Sequence, residues 1–118
     1  MTPPDVDLSV VVPAYDEAVV IAGSLQRLGA FLAEWPGGAE ILVVDDGSDD
    51  GTFGIVEALI GRLGVPMRLH RHPENQGKGA AVRTGMLRAR GRLVRGRRRR
   101  AVAGRSIARG RVVGSRHR

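Results

Sequence analysis

Four aspartates fall within six residues, Asp45, Asp46, Asp49 and Asp50, in the string Val43-Val44-Asp45-Asp46-Gly47-Ser48-Asp49-Asp50-Gly51-Thr52. Carboxylates that follow an apolar run can accept hydrogen bonds from a base N–H or from ribose hydroxyls, and Gly47 would let the backbone approach closely. The same residues also suit a solvated acidic turn in which Asp49 or Asp50 caps the next helix, though capping explains one aspartate of the four. A calcium loop is discounted, because the closing glutamate and flanking helix pair of an EF-hand are absent.

A second string, Asn75-Gln76-Gly77-Lys78-Gly79-Ala80-Ala81, places exposed amides and one cation at a helix start, which suits a diphosphate. It is not a Walker A loop: His72 stands where the first glycine should be, and Ala80 follows Gly79 without Ser or Thr. Arg83 could reach the same anion or be solvated. His70 and His72 alternate at a strand end without an acidic or cysteine partner in register, so they do not point to a metal. The third string is Val11-Val12-Pro13-Ala14-Tyr15-Asp16-Glu17, where a proline fixes the exit from an apolar run and Tyr15 offers a flat face to a nucleobase. An ordinary strand-turn-helix with a surface tyrosine would read the same.

The elements that must position these strings follow from periodicity. Leu8–Val12 and Ile41–Val44 are short, β-branched and apolar, as in strands buried on both faces of a parallel sheet. Pro13 is expected to stop the first of them. Ile21, Leu25, Leu28 and Leu32 recur at helical spacing, with Val20 and Phe31 beside them and Asp16 and Glu17 at the helix start. A second helix is expected over 52–63, with Val56, Leu59, Ile60 and Leu63 on one face. A weaker strand is expected over 65–69, and a third helix from Gly77 to about Arg90. Strands alternating with helices imply βαβ units. The three strings then lie at the carboxyl ends of the strands, where such sheets bind ligands.

Arg92-Leu93-Val94 begins like a fourth strand, but Arg95-Gly96-Arg97-Arg98-Arg99-Arg100 sets charges where a buried strand would continue. An unpaired buried charge costs several kcal/mol, so this segment is not expected to be an interior strand. One sheet edge would then be uncovered, and marginal stability is expected.

The charge is equally divided in kind. Residues 1–87 carry all 12 acids and six bases, a net −6; residues 88–118 carry 13 arginines and no acid, a net +13, and the two give the whole-chain +7. The chain is therefore read as two parts, 1–94 and a basic irregular tail, 95–118. With 118 residues it is one domain at most. It has no cysteine, which excludes disulfides and thiolate metal sites and makes a reducing, intracellular location the default. MTPPDVD lacks the basic start of a signal peptide, and no stretch approaches the ~20 apolar residues of a membrane span.

The ordered strings VVPAYDE, ILVVDDGSDDGT and ENQGKGAAVRTGMLRARG resemble family 2 glycosyltransferases over about residues 7–94. They are most similar to the branch that transfers a sugar to a polyprenyl phosphate, the dolichyl-phosphate glucosyltransferases and mannosyltransferases, with Asn75 to Gly91 on the glucosyltransferase-like side. The resemblance implies an incomplete Rossmann-like α/β unit of the GT-A type, βαβαβα with a parallel sheet. It implies a UDP-sugar donor, UDP-glucose in particular, and a polyprenyl phosphate acceptor at the cytoplasmic membrane face. It also implies that Pro13, Ala14, Tyr15, Glu17 and Asp45 contact base and ribose, and that Asp46, Gly47, Gly77 and Lys78 lie near ribose and diphosphate.

The family next presents Asp-X-Asp, which holds Mg2+ or Mn2+ against the diphosphate, and later a carboxylate base. Here no acid follows Glu74, and Arg97–Arg100 stand where Asp-X-Asp is expected. A shifted reading frame would explain this. Gly-Arg-Arg-Arg-Arg written GGC CGA CGC CGA CGC reads, one base later, GCC GAC GCC GAC, or Ala-Asp-Ala-Asp. The expected functions are accordingly a glycosyltransferase truncated or altered before its metal motif, a nucleotide-binding fragment without catalysis, or a polyanion or anionic-membrane binder acting through the tail. No aromatic residue accompanies the tail arginines to stack on bases.

Overall fold

A computed structural model describes residues 6–96 and the backbone of two further segments, 106–108 and 111–113. The elements run β1 (Leu8–Ala14), α1 (Ile21–Leu32), β2 (Ala39–Asp45), α2 (Thr52–Leu59), β3 (Met67–Arg71), α3 (Lys78–Arg88), β4 (Leu93–Gly96), β5 (Ser106–Ala108) and β6 (Arg111–Val113). They form one sheet in the order β3-β2-β1-β4-β5-β6. The pairs β3–β2, β2–β1 and β1–β4 are parallel, whereas β4–β5 and β5–β6 are antiparallel.

Side chains alternate across a strand, and both faces here are covered. Leu8, Val10, Val12 and Ala14 of β1 join Ala39, Ile41 and Val43 of β2 in a core with Ile21, Leu25, Leu28 and Leu32 of α1 and Val56 of α2. The alternate residues face α3, which comes so near β1 that a Cβ on Gly85 would lie 2.2 Å from Val11 Cγ1. Both central strands are therefore buried through almost their whole length, which is why their sequences read as continuous apolar runs.

Several boundaries differ from expectation for identifiable reasons. Pro13 does not stop β1: the strand reaches Ala14, with Pro13↔Val44 and Ala14↔Asp45 in parallel register with β2. Asp16 and Glu17 are not in the first turn of α1, which begins at Ile21. Their amides are held by Ser48 and Thr52 side chains, and Asp16 takes φ +49 in the turn. Val20 and Phe31 lie off the buried stripe, 52% and 65% exposed. Helix α2 ends at Leu59, where Ile60 turns extended and glycines 61 and 64 offer little helical propensity. Strand β3 starts two residues late, since Pro66 contributes only its carbonyl, to the Ile41 amide.

The largest correction concerns the fourth strand. Arg95 and Gly96 lie within β4, between β1 and β5, so the edge expected to be bare is covered. Val94 points inward, 3% exposed, while Arg95 is only partly buried and keeps its charge within reach of water. Two short strands also occur in the stretch expected to be irregular. Arg97–Arg100, and the arginine-rich tail beyond them apart from the backbone of 106–108 and 111–113, lie outside the described residues. So do the side chains through which the tail was expected to contact anions or a membrane surface. Among the described residues, no helix is long and apolar enough to cross a membrane.

Candidate functional site

The order β2-β1-β4 puts the first crossover on one side of β1 and the third on the other, so the carboxyl end of β1 is a topological switch point. A cleft of about 400 Å3 opens there, lined by Pro13, Ala14, Tyr15, Glu17, Asp46, Asn75, Gly77, Lys78 and Ala81. Seven of these are sequence-derived candidates, and they come from three separate segments. Asn75 and Ala81 belong to the same strings but had not been singled out.

Strand β1 delivers Pro13 and Ala14, and the turn after it presents Tyr15 with 46% of its surface exposed. That turn is stitched to the acidic loop. The Asp16 amide donates to Ser48 Oγ (2.8 Å), the Glu17 amide to Thr52 Oγ1 (2.9 Å) and the Ala18 amide to Asp50 Oδ2 (3.1 Å). The Asp49 amide returns a bond to Asp16 Oδ1 (2.9 Å). Asp50 also accepts from the Thr52 amide at the first residue of α2, but the N-cap is Gly51 and there is no side-chain cap, so neither Asp49 nor Asp50 caps the helix as expected.

Asp45 and Asp46 are neighbours with different surroundings. Asp45 is fully buried beneath the cleft, accepting from Ser48 Oγ at 2.6 Å and standing 3.6 Å from Arg71 Nε. The Arg71 guanidinium in turn sits 4.5 Å over the Phe53 ring. Asp46 lines the cleft while both its oxygens are engaged. Oδ1 accepts from His72 Nδ1 (2.8 Å) and the Gln76 amide (2.9 Å); Oδ2 accepts from the Gly77 amide (2.8 Å) and Asn75 Nδ2 (3.2 Å). Burial would push its carboxyl pKa up, but these hydrogen bonds outweigh it and hold the group below its ordinary value.

Gly47 also has a place in this arrangement. It takes φ +77, and a Cβ on it would meet the Asn75 nitrogen at 2.5 Å. The close approach it permits is that of the 74–75 backbone. Gly77, at φ +100, then turns the chain into α3, leaving the first amides of the helix and the Lys78 ammonium beside the cleft. Arg83 is exposed on α3 and does not line the cleft.

His72 was not legible as a partner of Asp46, because 26 residues separate them. Nothing short of the β2–β3 register brings them together. The ring is 5% exposed, and its Nε2 lies 2.8 Å from Thr84 Oγ1.

A family model described as glycosyl transferase family 2 matches residues 9–95. The chain belongs to this family. Among curated family members, it is 41% identical over 95 residues to the dolichyl-phosphate beta-glucosyltransferase of Drosophila melanogaster, covering 75% of this chain and 29% of that protein. It is 35% identical over 88 residues to the dodecaprenyl-phosphate galacturonate synthase of Rhizobium johnstonii, covering 75% and 26%. Among solved structures it resembles mannosyltransferase PcManGT from Pyrobaculum calidifontis in complex with GDP-Man and Mn2+ (TM-score 0.64, 29% identity, 80% of this chain and 30% of that one). It also resembles S. aureus TarS 1–349 in complex with UDP (TM-score 0.64, 27% identity, 76% and 26%). The chain thus spans less than a third of the length of these relatives.

Metal and nucleotide sugar are therefore associated with the family. Among the described residues, however, no group of three or more His, Cys, Asp or Glu side chains could hold a metal ion. Of the cleft carboxylates, Asp46 has its lone pairs committed to four protein donors. The described residues do not fit Mg2+ or Mn2+.

Proposed function

We propose that this chain is the nucleotide-binding portion of a family 2 glycosyltransferase whose donor is a UDP-sugar, UDP-glucose in particular, and whose acceptor is a polyprenyl phosphate. The observation that carries this reading is the convergence of Tyr15, Asp46, Gly77 and Lys78 on one cleft at the switch point of the sheet. Tyr15 offers its ring to the base, while Pro13 and Ala14 form the floor at the end of β1. The amides at the start of α3 and the Lys78 ammonium suit the diphosphate, whose charge favours a helix N-terminus. Asp45 acts from beneath, through Ser48, on the turn that carries Tyr15 and Glu17.

The acceptor assignment is supported by the names of two relatives, which carry a dolichyl or dodecaprenyl phosphate, and the UDP assignment by the complex of S. aureus TarS with UDP, against the GDP-Man of the Pyrobaculum enzyme. Calorimetric titration with UDP and with GDP tests the donor. Saturable binding with preference for UDP, weakened in Asp45→Ala, is expected; a preference for GDP would overturn the UDP assignment.

A second reading is nucleotide binding without transfer by this chain, favoured by the lack of any acid after Glu74. Clear turnover of UDP-glucose onto a polyprenyl phosphate, with Mn2+ or Mg2+ supplied, would exclude it. The shifted-frame explanation of the arginine run is tested by the nucleotide sequence around codon 96. It fails if no frame there encodes Asp-X-Asp.

A further inference from the structure

Asp46 touches the cleft, yet four protein donors surround it, so its orientation is decided by the protein rather than by a ligand. Three of those donors, the Gln76 and Gly77 amides and Asn75 Nδ2, belong to the loop that enters α3. The fourth, His72, comes from elsewhere and is itself fixed on two sides. Its backbone amide donates to the Asp45 carbonyl at 2.9 Å, and its Nε2 meets Thr84 Oγ1 on α3. A carboxylate can only accept, so Nδ1 carries the proton it donates to Asp46.

The contacts therefore close a ring: from α3 through Thr84 to His72, from His72 to Asp46, and from Asp46 to the two amides that lead back into α3. We propose that His72, held by Thr84, is a positioning residue that fixes the Asp46 carboxylate and through it the 75–78 loop and the anion-binding start of α3. This rests on the nucleotide-binding reading for its purpose, although the positioning itself is a property of the unliganded chain. Without the Nδ1–H donor, Asp46 has one buried lone pair unsatisfied and is free to turn away from the loop amides.

Two substitutions separate positioning from mere filling of space. Asn at this position can place an amide nitrogen near Nδ1, whereas Gln places its polar end near Nε2. His72→Asn thus keeps the bond to Asp46 and loses Thr84, and His72→Gln does the reverse. The test uses the full chain, with amide hydrogen exchange of Gln76 and Gly77 measured without nucleotide and UDP affinity measured by calorimetry. In His72→Gln, exchange at both amides is expected to quicken, and UDP binding to weaken, each by about tenfold. In His72→Asn both are expected to stay within about threefold of the parent. Unchanged exchange in His72→Gln, or equal losses in the two variants, would overturn the proposal. Should His72→Gln fail to fold, His72→Leu, which keeps the bulk and removes both ring contacts, decides: exchange at Gly77 faster than in His72→Asn supports positioning, and exchange no faster than in His72→Asn refutes it. If the parent takes up no UDP, the nucleotide reading fails, and the exchange rates alone decide whether His72 positions the loop.

Discussion

Glu40 and Asp46 are buried carboxylates near the two ends of strand β2, built alike but placed differently. Glu40, at the amino end, accepts from Ser9 Oγ (2.6 Å), from Arg68 Nε and Nη2 (both 3.1 Å) and from the Arg90 amide (2.9 Å). It fastens the α3–β4 connection, helped by Arg68 Nη2 donating to the Arg88 carbonyl and the Gly91 amide donating to Ser9 Oγ. Asp46, just past the carboxyl end, fastens the loop that enters α3. Thus the two ends of one helix are tied to the two ends of one strand. Only the Asp46 clasp borders the cleft, and its donors are neutral amides and a histidine rather than an arginine. A saturated buried carboxylate can therefore be pure scaffold or scaffold for a site, and placement at the switch point distinguishes them.

Breaking the scaffold end should have the largest effect on stability. Glu40→Ala strands Arg68, Ser9 and the Arg90 amide and is expected to cost about 3 kcal/mol, read from denaturant melts. UDP affinity of the folded fraction should stay within about twofold. Asp46→Ala should cost about 2 kcal/mol because its amide donors can partly turn to water, but it should weaken UDP binding at least about tenfold. If Glu40→Ala damages UDP affinity as much as Asp46→Ala does, the two ends are not functionally distinct.

Acid should weaken both ends together. Burial raises the Glu40 pKa, but the bonds from Arg68, Ser9 and Arg90 prevail and hold it below its ordinary 4.5; Asp46 is likewise held below 3.8. Lowered folded-state values mean that both carboxylates stabilise the fold fully above the ordinary carboxylate range, and that this is lost as pH falls through the depressed values. Melts between pH 7 and pH 3 check this: Glu40→Gln should flatten the acid dependence, and an unchanged slope would contradict it. The smallest effect is expected for Lys78→Ala, which should leave the melt unchanged and weaken UDP binding about fivefold through one exposed cation.

Most of the architecture was legible because β1 and β2 are buried on both faces and α1 has a regular stripe. Ile41–Val44 and the Leu25–Leu28–Leu32 spacing leave little alternative. The cleft was legible too, because Tyr15, Asp46 and Lys78 follow strand ends in a recognisable order. Three features were not. The partnership of His72 with Asp46 depends on parallel register. The passage of β4 through Arg95 depends on partial exposure that a charge count does not show. The service of Gly47 to the 74–75 backbone depends on a loop 27 residues away meeting it in space. Each of these is a long-range contact, and local patterns carry no information about such contacts.

Titration of UDP into the folded full chain, beside Asp46→Ala and Glu40→Gln, tests the nucleotide-binding reading most directly. Saturable binding by the parent, lost in Asp46→Ala and kept in Glu40→Gln, is the expected result. A cooperatively folded parent that takes up no UDP would contradict it.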